Sequence, residues 1–157
     1  MENKVEYTPI TRRLHVLLAE DDKADRLLFS EVLEELPVSV ELTTVADGEE
    51  LIDWLTGQGS QLPDVLFLDL NMPRRNGYAA LSIIKRDRVL QDLPVIIFST
   101  ASDEDNTKQA YKDAAHYYIH KPTDFSKLKL LIYKALKLIA EKNISLPNKD
   151  NFVLKTD

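Results

Sequence analysis

The chain has 157 residues, of which 44% are hydrophobic and 29% are charged, with a formal net charge of -6 at pH 7. This profile is typical of one globular domain, and the acidic balance argues against nucleic acid as the main partner. With 0 Cys, disulfides, cysteine-ligated zinc and a thiol nucleophile are excluded. Charged residues occupy the N-terminus where a signal peptide needs an apolar core, and no uncharged stretch is long enough to span a membrane, so we expect a cytoplasmic protein.

Apolar runs that are typical of strands alternate with helical patterns along the chain. The predicted strands cover 14–19, 38–45, 65–68, 94–98 and 117–119. A helix is predicted after each strand, the last one running from Asp124 to about Lys142. We therefore expect an N-terminal extension at 1–13, a domain at 14–142 and a C-terminal tail at 143–157. Strands that alternate with helices at short spacing predict an α/β fold with a parallel sheet.

Polar side chains follow four of the five predicted strands. They are Glu20 and Asp21 after the first strand, Asp69 and Asn71 after the third, Ser99 and Thr100 after the fourth, and Lys121 after the fifth. Because right-handed crossovers bring the carboxyl ends of parallel strands to one edge, we expect these side chains to meet there. Asp22 is left to cap the helix that follows it.

This combination of groups is suited to phosphoryl transfer onto an aspartate. Glu20, Asp21 and Asp69 are hard oxygen ligands whose mutual repulsion calls for a cation, and Mg²⁺ fits best, with a backbone carbonyl near Asn71 as a further ligand. Lys121 supplies a positive charge and Ser99 a hydroxyl for phosphoryl oxygens. Asp69 is then the nucleophile.

Other chemistries lack their motifs. No glycine-rich phosphate loop ending in Gly-Lys-Ser/Thr occurs, and the first strand is not followed by Gly-x-Gly-x-x-Gly. His15, His116 and His120 do not have metal-ligand spacing, and Ser99 lacks the Gly-x-Ser-x-Gly elbow of a hydrolase.

From about Leu14 to Lys142 the chain resembles the receiver domain of bacterial two-component response regulators. The motifs are the acid pair, the segment Asp69-Leu70-Asn71-Met72-Pro73, the glycine at Gly77, the hydroxyl at Ser99 and the pair Lys121-Pro122. The resemblance implies a flavodoxin-like (βα)5 doubly wound parallel sheet with strand order 2-1-3-4-5. It also implies roles for the following residues: Asp69 as phosphoacceptor, Glu20 and Asp21 as metal acids, Ser99 as switch hydroxyl, Lys121 as phosphate lysine and Tyr118 as switch aromatic. In the segment from Asn71 to Gly77, the chain resembles stand-alone regulators that partner phytochrome-type and related hybrid histidine kinases.

Three positions depart from the family pattern: Ala114, Thr100 and Ser99, which is the less common hydroxyl where threonine is usual. Ala114 stands where the family usually has glycine, so a left-handed helix cap there would be strained or absent. Thr100 occupies a position that is usually small, which could narrow access to the site. We also predict a cis Lys121-Pro122 bond, because the lysine has to turn back from a strand end towards Asp69.

The resemblance implies a signalling switch rather than a turnover enzyme. Its partners would be a sensor histidine kinase or phosphotransfer protein and a downstream protein, with no nucleic acid and no membrane. A small acyl-phosphate phosphatase is disfavoured because Asn71 stands where such enzymes carry a second aspartate, and a scaffold that is never phosphorylated is the third alternative. We expect output through the face of the fourth helix, fifth strand and fifth helix. The tail either frays or joins that face in a partner contact, of which a homodimer is one form.

Overall fold

A five-stranded parallel sheet in the order β2-β1-β3-β4-β5 forms the middle layer of the fold. The structure is a computed structural model, and it describes residues 5–57, 61–101, 104–141 and 146–156. The strands are β1 (Ile10–Ala19), β2 (Val38–Val45), β3 (Val65–Leu68), β4 (Val95–Ser99) and β5 (Tyr117–His120). The helices are α1 (Lys23–Glu35), α2 (Gly48–Thr56), α3 (Gly77–Arg86), α4 (Glu104–Lys112) and α5 (Phe125–Ala140). The predicted α/β fold, parallel sheet and strand order are confirmed.

The sheet is covered on both faces, which explains why its central strands are apolar throughout. In β3 the side chains of Leu66 and Leu68 pack with α2, α3 and α4, whereas Val65 and Phe67 pack with α1 and α5. All four residues are 0% exposed. An apolar run without alternation is the expected pattern for a parallel strand that is buried on both sides.

The first strand begins earlier than predicted. Ile10 opens β1 by donating its N–H to the Pro37 carbonyl at 2.9 Å, and the pairing with β2 shifts register between Ile10 and Leu14. Upstream, the Tyr7 ring lies edge-on to that of Tyr133 in α5, with centroids 4.8 Å apart. Polar residues interrupt the apolar pattern around Arg12, which is why periodicity alone placed the start of this strand at Leu14.

The C-terminal tail packs against the domain. A short 3₁₀ turn at Lys149–Asn151 leads into Phe152, which is 1% exposed, and Val153 forms a parallel bridge with Tyr118 on the outer edge of β5. The sequence analysis left fraying and a partner contact as alternatives for the tail, and the structure instead places Phe152 and Val153 against α4 and β5 of the same chain. The predicted boundary at Lys142 lies outside the described residues.

Ala114 adopts the left-handed conformation that its position in the family suggested. Its φ is 66°, and its N–H donates to the Tyr111 carbonyl at 3.1 Å as the chain leaves α4. The left-handed cap is thus present with alanine in it, and the cost is steric because a Cβ crowds the backbone in this region.

Candidate functional site

Asp69 follows β3 at the carboxyl edge of the sheet, as predicted. Its N–H donates to the Ala19 carbonyl of β1 at 3.1 Å, and the residue is 6% exposed. Its Oδ1 accepts the N–H of Asn71 at 3.2 Å, so the Asn71 peptide lies beside it. The position of the Asn71 carbonyl as a metal ligand stays a prediction.

Gly77 allows α3 to begin directly against the Asp69 backbone. A Cβ at this position would lie 2.5 Å from the Asp69 carbonyl oxygen and 2.7 Å from the Cα of Leu70. The Gly77 N–H donates to the Leu70 carbonyl at 3.0 Å. The glycine therefore permits a close backbone approach that fixes the loop after Asp69.

The two acids after β1 lie with Asp69 in one cluster. Carboxylate oxygens of Glu20, Asp21 and Asp69 all lie within 4.8 Å of one another. Glu20 is buried and Asp21 is exposed, so the cluster is open to solvent on one side. Asp22 caps α1 by accepting the Asp25 N–H at 2.9 Å, as predicted.

Lys121 reaches into this cluster from the end of β5. Its Nζ donates to Glu20 Oε1, lies 3.3 Å from Asp25 Oδ2 and 3.9 Å from Asp69 Oδ2. The lysine therefore lies with the acids at the predicted edge of the sheet, but its nearest partner is Glu20 rather than Asp69, and its role as phosphate lysine stays a prediction.

The prediction of a cis Lys121-Pro122 bond is wrong, because the bond is trans. The Lys121 N–H donates to the Ser99 carbonyl at 2.9 Å and continues the pairing of β5 with β4. The long side chain spans the remaining distance to the acids, so no sharp backbone reversal is needed.

Burial and mutual repulsion shape the electrostatics of the cluster. Burial raises the pKa of Glu20 to about 7; the Asp69 charge adds to this effect, and the hydrogen bond from Lys121 opposes it. Burial alone would lower the pKa of Lys121, but its hydrogen bond to Glu20 and the charge of Asp69 together raise that pKa. The ammonium therefore stays protonated and serves as the internal counter-charge of the acids.

Ser99 and Tyr118 lie on the neighbouring strands, with Ala101 between them. Ser99 is 0% exposed, and its Oγ accepts the Ala101 N–H at 3.2 Å. The Tyr118 hydroxyl donates to the Ala101 carbonyl, and the residue is 1% exposed. The sequence analysis treated Tyr118 as a switch aromatic, and the structure places its ring inside the fold. Thr100 is exposed.

Sequence reasoning missed three residues that hold the site in place. The Arg26 guanidinium donates to the carbonyls of Glu20 and Asp21 at 2.7 and 2.9 Å and so fixes the acid loop. Asp47 caps α2 through the Glu50 N–H at 2.8 Å and also accepts from Arg74 at 2.6 Å, which ties down the loop after Asp69. The pattern Asp-x-x-Glu at a helix start was the available signal for the cap. The ion pair between Asp47 and Arg74 joins residues that are 27 positions apart, so no local sequence pattern predicts it.

The donors of this cluster fit a hard divalent cation. Three carboxylates at one edge offer only oxygen ligands, and one side of the cluster is exposed, which suits an ion that keeps several waters. No histidine or sulfur ligand belongs to the group found among the described residues, so soft-metal chemistry is disfavoured there.

Residues 16–133 match the family described as the response regulator receiver domain. The chain therefore belongs to this family, whose receivers act in two-component signalling and bind Mg²⁺ at an acidic site. Among curated relatives, the probable methanogenesis regulatory protein FilR2 of Methanothrix harundinacea (strain 6Ac) is 33% identical over 117 residues, which cover 73% of this chain and 76% of that protein. Response regulator Rcp1 of Synechocystis sp. (strain ATCC 27184 / PCC 6803 / Kazusa) is 33% identical over 117 residues, which cover 72% of this chain and 80% of Rcp1.

Two solved structures are similar in both sequence and fold. The phosphorylated cyanobacterial phytochrome response regulator RcpA gives a TM-score of 0.74 at 33% identity, with 87% of this chain and 100% of that chain covered. The Mn²⁺-bound form of Rcp1 gives a TM-score of 0.71 at 29% identity, with 85% of this chain and 99% of that chain covered. Within the described part of the chain, every helix is too short or too polar to span a membrane.

Proposed function

We propose that this receiver accepts a phosphoryl group onto Asp69 from the phosphohistidine of a sensor histidine kinase or a phosphotransfer protein. The observation that carries the proposal is the buried Asp69 carboxylate with two further acids and the Lys121 ammonium around it. A lone carboxylate at a sheet edge would be a turn residue, whereas this group has a nucleophile, cation ligands and a counter-charge in one place.

In the reaction, a carboxylate oxygen of Asp69 forms a bond to phosphorus while the phosphorus–nitrogen bond of the partner breaks. The partner imidazole leaves with the electron pair of that bond. Lys121 lies 3.9 Å from Asp69 Oδ2 and can place its charge against a phosphoryl oxygen, and Ser99 can donate its hydroxyl to another. Ser99 ends β4, the strand beside β3, and Lys121 follows β5, the next strand along the sheet, so both groups start close to the reacting carboxylate.

Glu20, Asp21 and Asp69, with the Asn71 carbonyl, would hold Mg²⁺. The cation supplies positive charge that offsets the charge of the phosphoryl oxygens. Lys121 now neutralises Glu20, so its move towards a phosphoryl group leaves Glu20 in need of another positive charge. The acid pair and the lysine are therefore coupled: the lysine becomes available for the phosphoryl group when Glu20 is neutralised by another cation.

The receiver would act as a switch, and its only catalysis would be its own phosphotransfer and autodephosphorylation. A turnover phosphatase would need a second acid and base two residues after the nucleophile. That position is Asn71, an amide that cannot exchange a proton in either role.

Output would run through the face of α4, β5 and α5 to a downstream protein. Ser99 and Tyr118 connect the phosphorylation edge to this face through Ala101. A homodimer through the same face is one form that such binding could take, and nucleic acid and membrane are not required. We place the protein in the cytoplasm, where kinase and receiver can meet.

Similarity to two relatives supports a proposal about the kinase. RcpA is described as a phytochrome response regulator, and Rcp1 has a Mn²⁺-bound form. By similarity to these two proteins, we propose a phytochrome-type or related hybrid histidine kinase as the phosphoryl donor and a divalent cation at the acids.

Acetyl phosphate labelling tests the proposal without a kinase. Intact-mass measurement should show one added phosphate on wild type with Mg²⁺ and almost none without it. Asp69→Asn should take up none, and Asp21→Ala should need more Mg²⁺ because one direct ligand is lost. Asp53→Asn, an exposed aspartate in α2, is the matched control and should label like wild type. Equal labelling of wild type and Asp69→Asn would contradict the assignment.

A further inference from the structure

The tail binds the backbone of the residue that the family resemblance identifies as the switch aromatic. Tyr118 donates its N–H to the Phe152 carbonyl at 3.0 Å and accepts the Leu154 N–H at 2.9 Å. Val153 lies opposite Tyr118 in a parallel bridge. The segment 152–154 therefore adds a short strand to the free edge of β5, in the manner by which extended peptides bind sheet edges.

The side chain of Phe152 fills the space between β5 and α4. Its ring centroid lies 5.3 Å from that of Tyr111 in α4 and 6.2 Å from that of Tyr118, both edge-on. At 1% exposure, Phe152 belongs to the core that also contains Leu66, Leu68 and Ile97. The tail is thus anchored by a core aromatic as well as by backbone hydrogen bonds.

These contacts hold Tyr118 in addition to the hydrogen bond of its hydroxyl group. The hydroxyl donates to the Ala101 carbonyl, two residues beyond Ser99, while Phe152 packs beside the ring. Because the Phe152 ring packs against the rings of both Tyr118 and Tyr111, a rotation of Tyr118 out of the core would break its contact with Phe152. Docking of the tail therefore favours the inward position of Tyr118.

We propose that Phe152 is a positioning residue for the phosphorylation switch, acting on Asp69 through Tyr118, Ala101 and Ser99. This inference depends on the proposed function. In this proposal the phosphorylated site favours the same inward arrangement of Tyr118 that the docked tail contacts, so each would strengthen the other. Because coupling between two sites is reciprocal in free energy, loss of tail docking weakens the phosphorylated state by the same factor by which phosphorylation tightens the docking.

The first test measures the affinity of the full-length protein for beryllofluoride, a phosphoryl mimic, in the presence of Mg²⁺. Phe152→Ala should weaken it about fivefold or more, the lower end of usual coupling. Phe152→Leu, which keeps an apolar anchor, should recover most of the loss. Leu146→Ala removes a tail side chain that is 58% exposed and is the matched control, with wild-type affinity expected.

The second test observes Tyr118 directly. With 3-fluorotyrosine incorporated and the resonance assigned through Tyr118→Phe, Phe152→Ala should shift the Tyr118 signal towards a second, outward environment. Addition of beryllofluoride to this variant should shift the Tyr118 signal back towards its wild-type position. In wild type, beryllofluoride should slow amide exchange at Leu154, whose N–H is bonded to Tyr118. If Phe152→Ala does not fold, Leu154→Pro replaces it in both tests, because it removes the N–H that is bonded to Tyr118 and keeps Phe152.

Failure of this inference is distinct from failure of the proposed function. If wild type takes up a phosphoryl group on Asp69, but Phe152→Ala binds beryllofluoride as tightly as wild type, the positioning role is refuted and the receiver function stands. Faster exchange at Leu154 with beryllofluoride also refutes the role, because the tail would then be released. If wild type binds neither the phosphoryl group nor the mimic, the receiver function and the positioning role of Phe152 are both refuted.

Discussion

We expect His116 to make the stability of this protein depend on pH in a defined window. His116 lies just before β5 and is 6% exposed. Its Nδ1 accepts the Val95 N–H at 3.1 Å, while its own backbone N–H donates to the Val95 carbonyl at 2.8 Å. The ring can accept that bond only while Nδ1 is unprotonated. Burial, followed by the positive charge of Lys85, lowers the pKa of His116 from 6.5 to about 4.

The direction of this pH dependence follows from the difference in proton binding between the folded and unfolded states. Because the pKa of His116 is lower in the folded state than in the unfolded state, the unfolded chain binds more protons between about pH 6.5 and pH 4. Its contribution to stability is complete above that window and is lost as the pH falls through it. From pH 7 to pH 5, the loss from this one group is about 2 kcal/mol, with one pKa unit equal to about 1.4 kcal/mol.

Urea unfolding of wild type and His116→Asn across this pH range isolates the effect. The asparagine Oδ1 can replace Nδ1 as acceptor without titrating, so the difference in unfolding free energy should shift by about 2 kcal/mol in favour of the variant as the pH falls from 7 to 5. Other titrating groups cancel in the difference. His116→Leu should follow the same slope but be less stable at pH 7 by about 1–3 kcal/mol, because the Val95 N–H loses its side-chain acceptor. Parallel profiles for wild type and His116→Asn would refute the reasoning.

Three further changes test other contacts. Ala114→Gly should stabilise the protein by about 1 kcal/mol in urea unfolding, because glycine removes the Cβ strain at φ 66°; Ala110→Gly, inside α4, is the control and should destabilise it. Loss of stability in Ala114→Gly would contradict the strain argument. Gly77→Ala should lower both thermal stability and acetyl phosphate labelling, since its Cβ would lie 2.5 Å from the Asp69 carbonyl oxygen; Ala79→Gly is the control, and unchanged labelling of Gly77→Ala would rule out the close approach. Lys121→Met should slow labelling of Asp69 and make unfolding stability more dependent on Mg²⁺ than in wild type, because Glu20 loses its ammonium partner; an identical Mg²⁺ dependence would show that the lysine is not that counter-charge.

The parts of the fold that depend on pattern could be predicted from the sequence. The apolar run from Val65 to Leu68 identified a strand buried on both faces, and its position fixed where Asp69 would emerge. The residues after the strands converge for the same topological reason. Periodicity failed where contacts are tertiary: it could not foresee that Ile10 would extend β1 or that Phe152 would enter the core between Tyr111 and Tyr118.

Local patterns also could not determine how the charges of the site are paired. The sequence brought Lys121 to the same edge as the acids, but which acid it binds depends on burial. The side chain of Glu20 is 1% exposed and that of Asp69 is 8% exposed. Leaving the Glu20 carboxylate without the lysine therefore costs more free energy than leaving Asp69 without a direct bond to it. The trans Lys121-Pro122 bond is compatible with this pairing, because the Lys121 ammonium reaches Glu20 from the end of β5.

The pairing of Lys121 with Glu20 gives a physical reason why cation binding and phosphorylation should depend on each other in this receiver. Removing the ammonium from Glu20 without replacement would leave a buried carboxylate beside Asp69, and burial already raises the pKa of Glu20 to about 7. A cation held by Glu20, Asp21 and Asp69 would replace that positive charge and free Lys121, only 3.9 Å from Asp69 Oδ2, for a phosphoryl oxygen. Asp21 is the exposed member of the three acids, so its carboxylate is the one through which a hydrated cation would first approach. In the proposed reaction, the lysine that stabilises the acids at rest would then be released for the phosphoryl group when the cation binds.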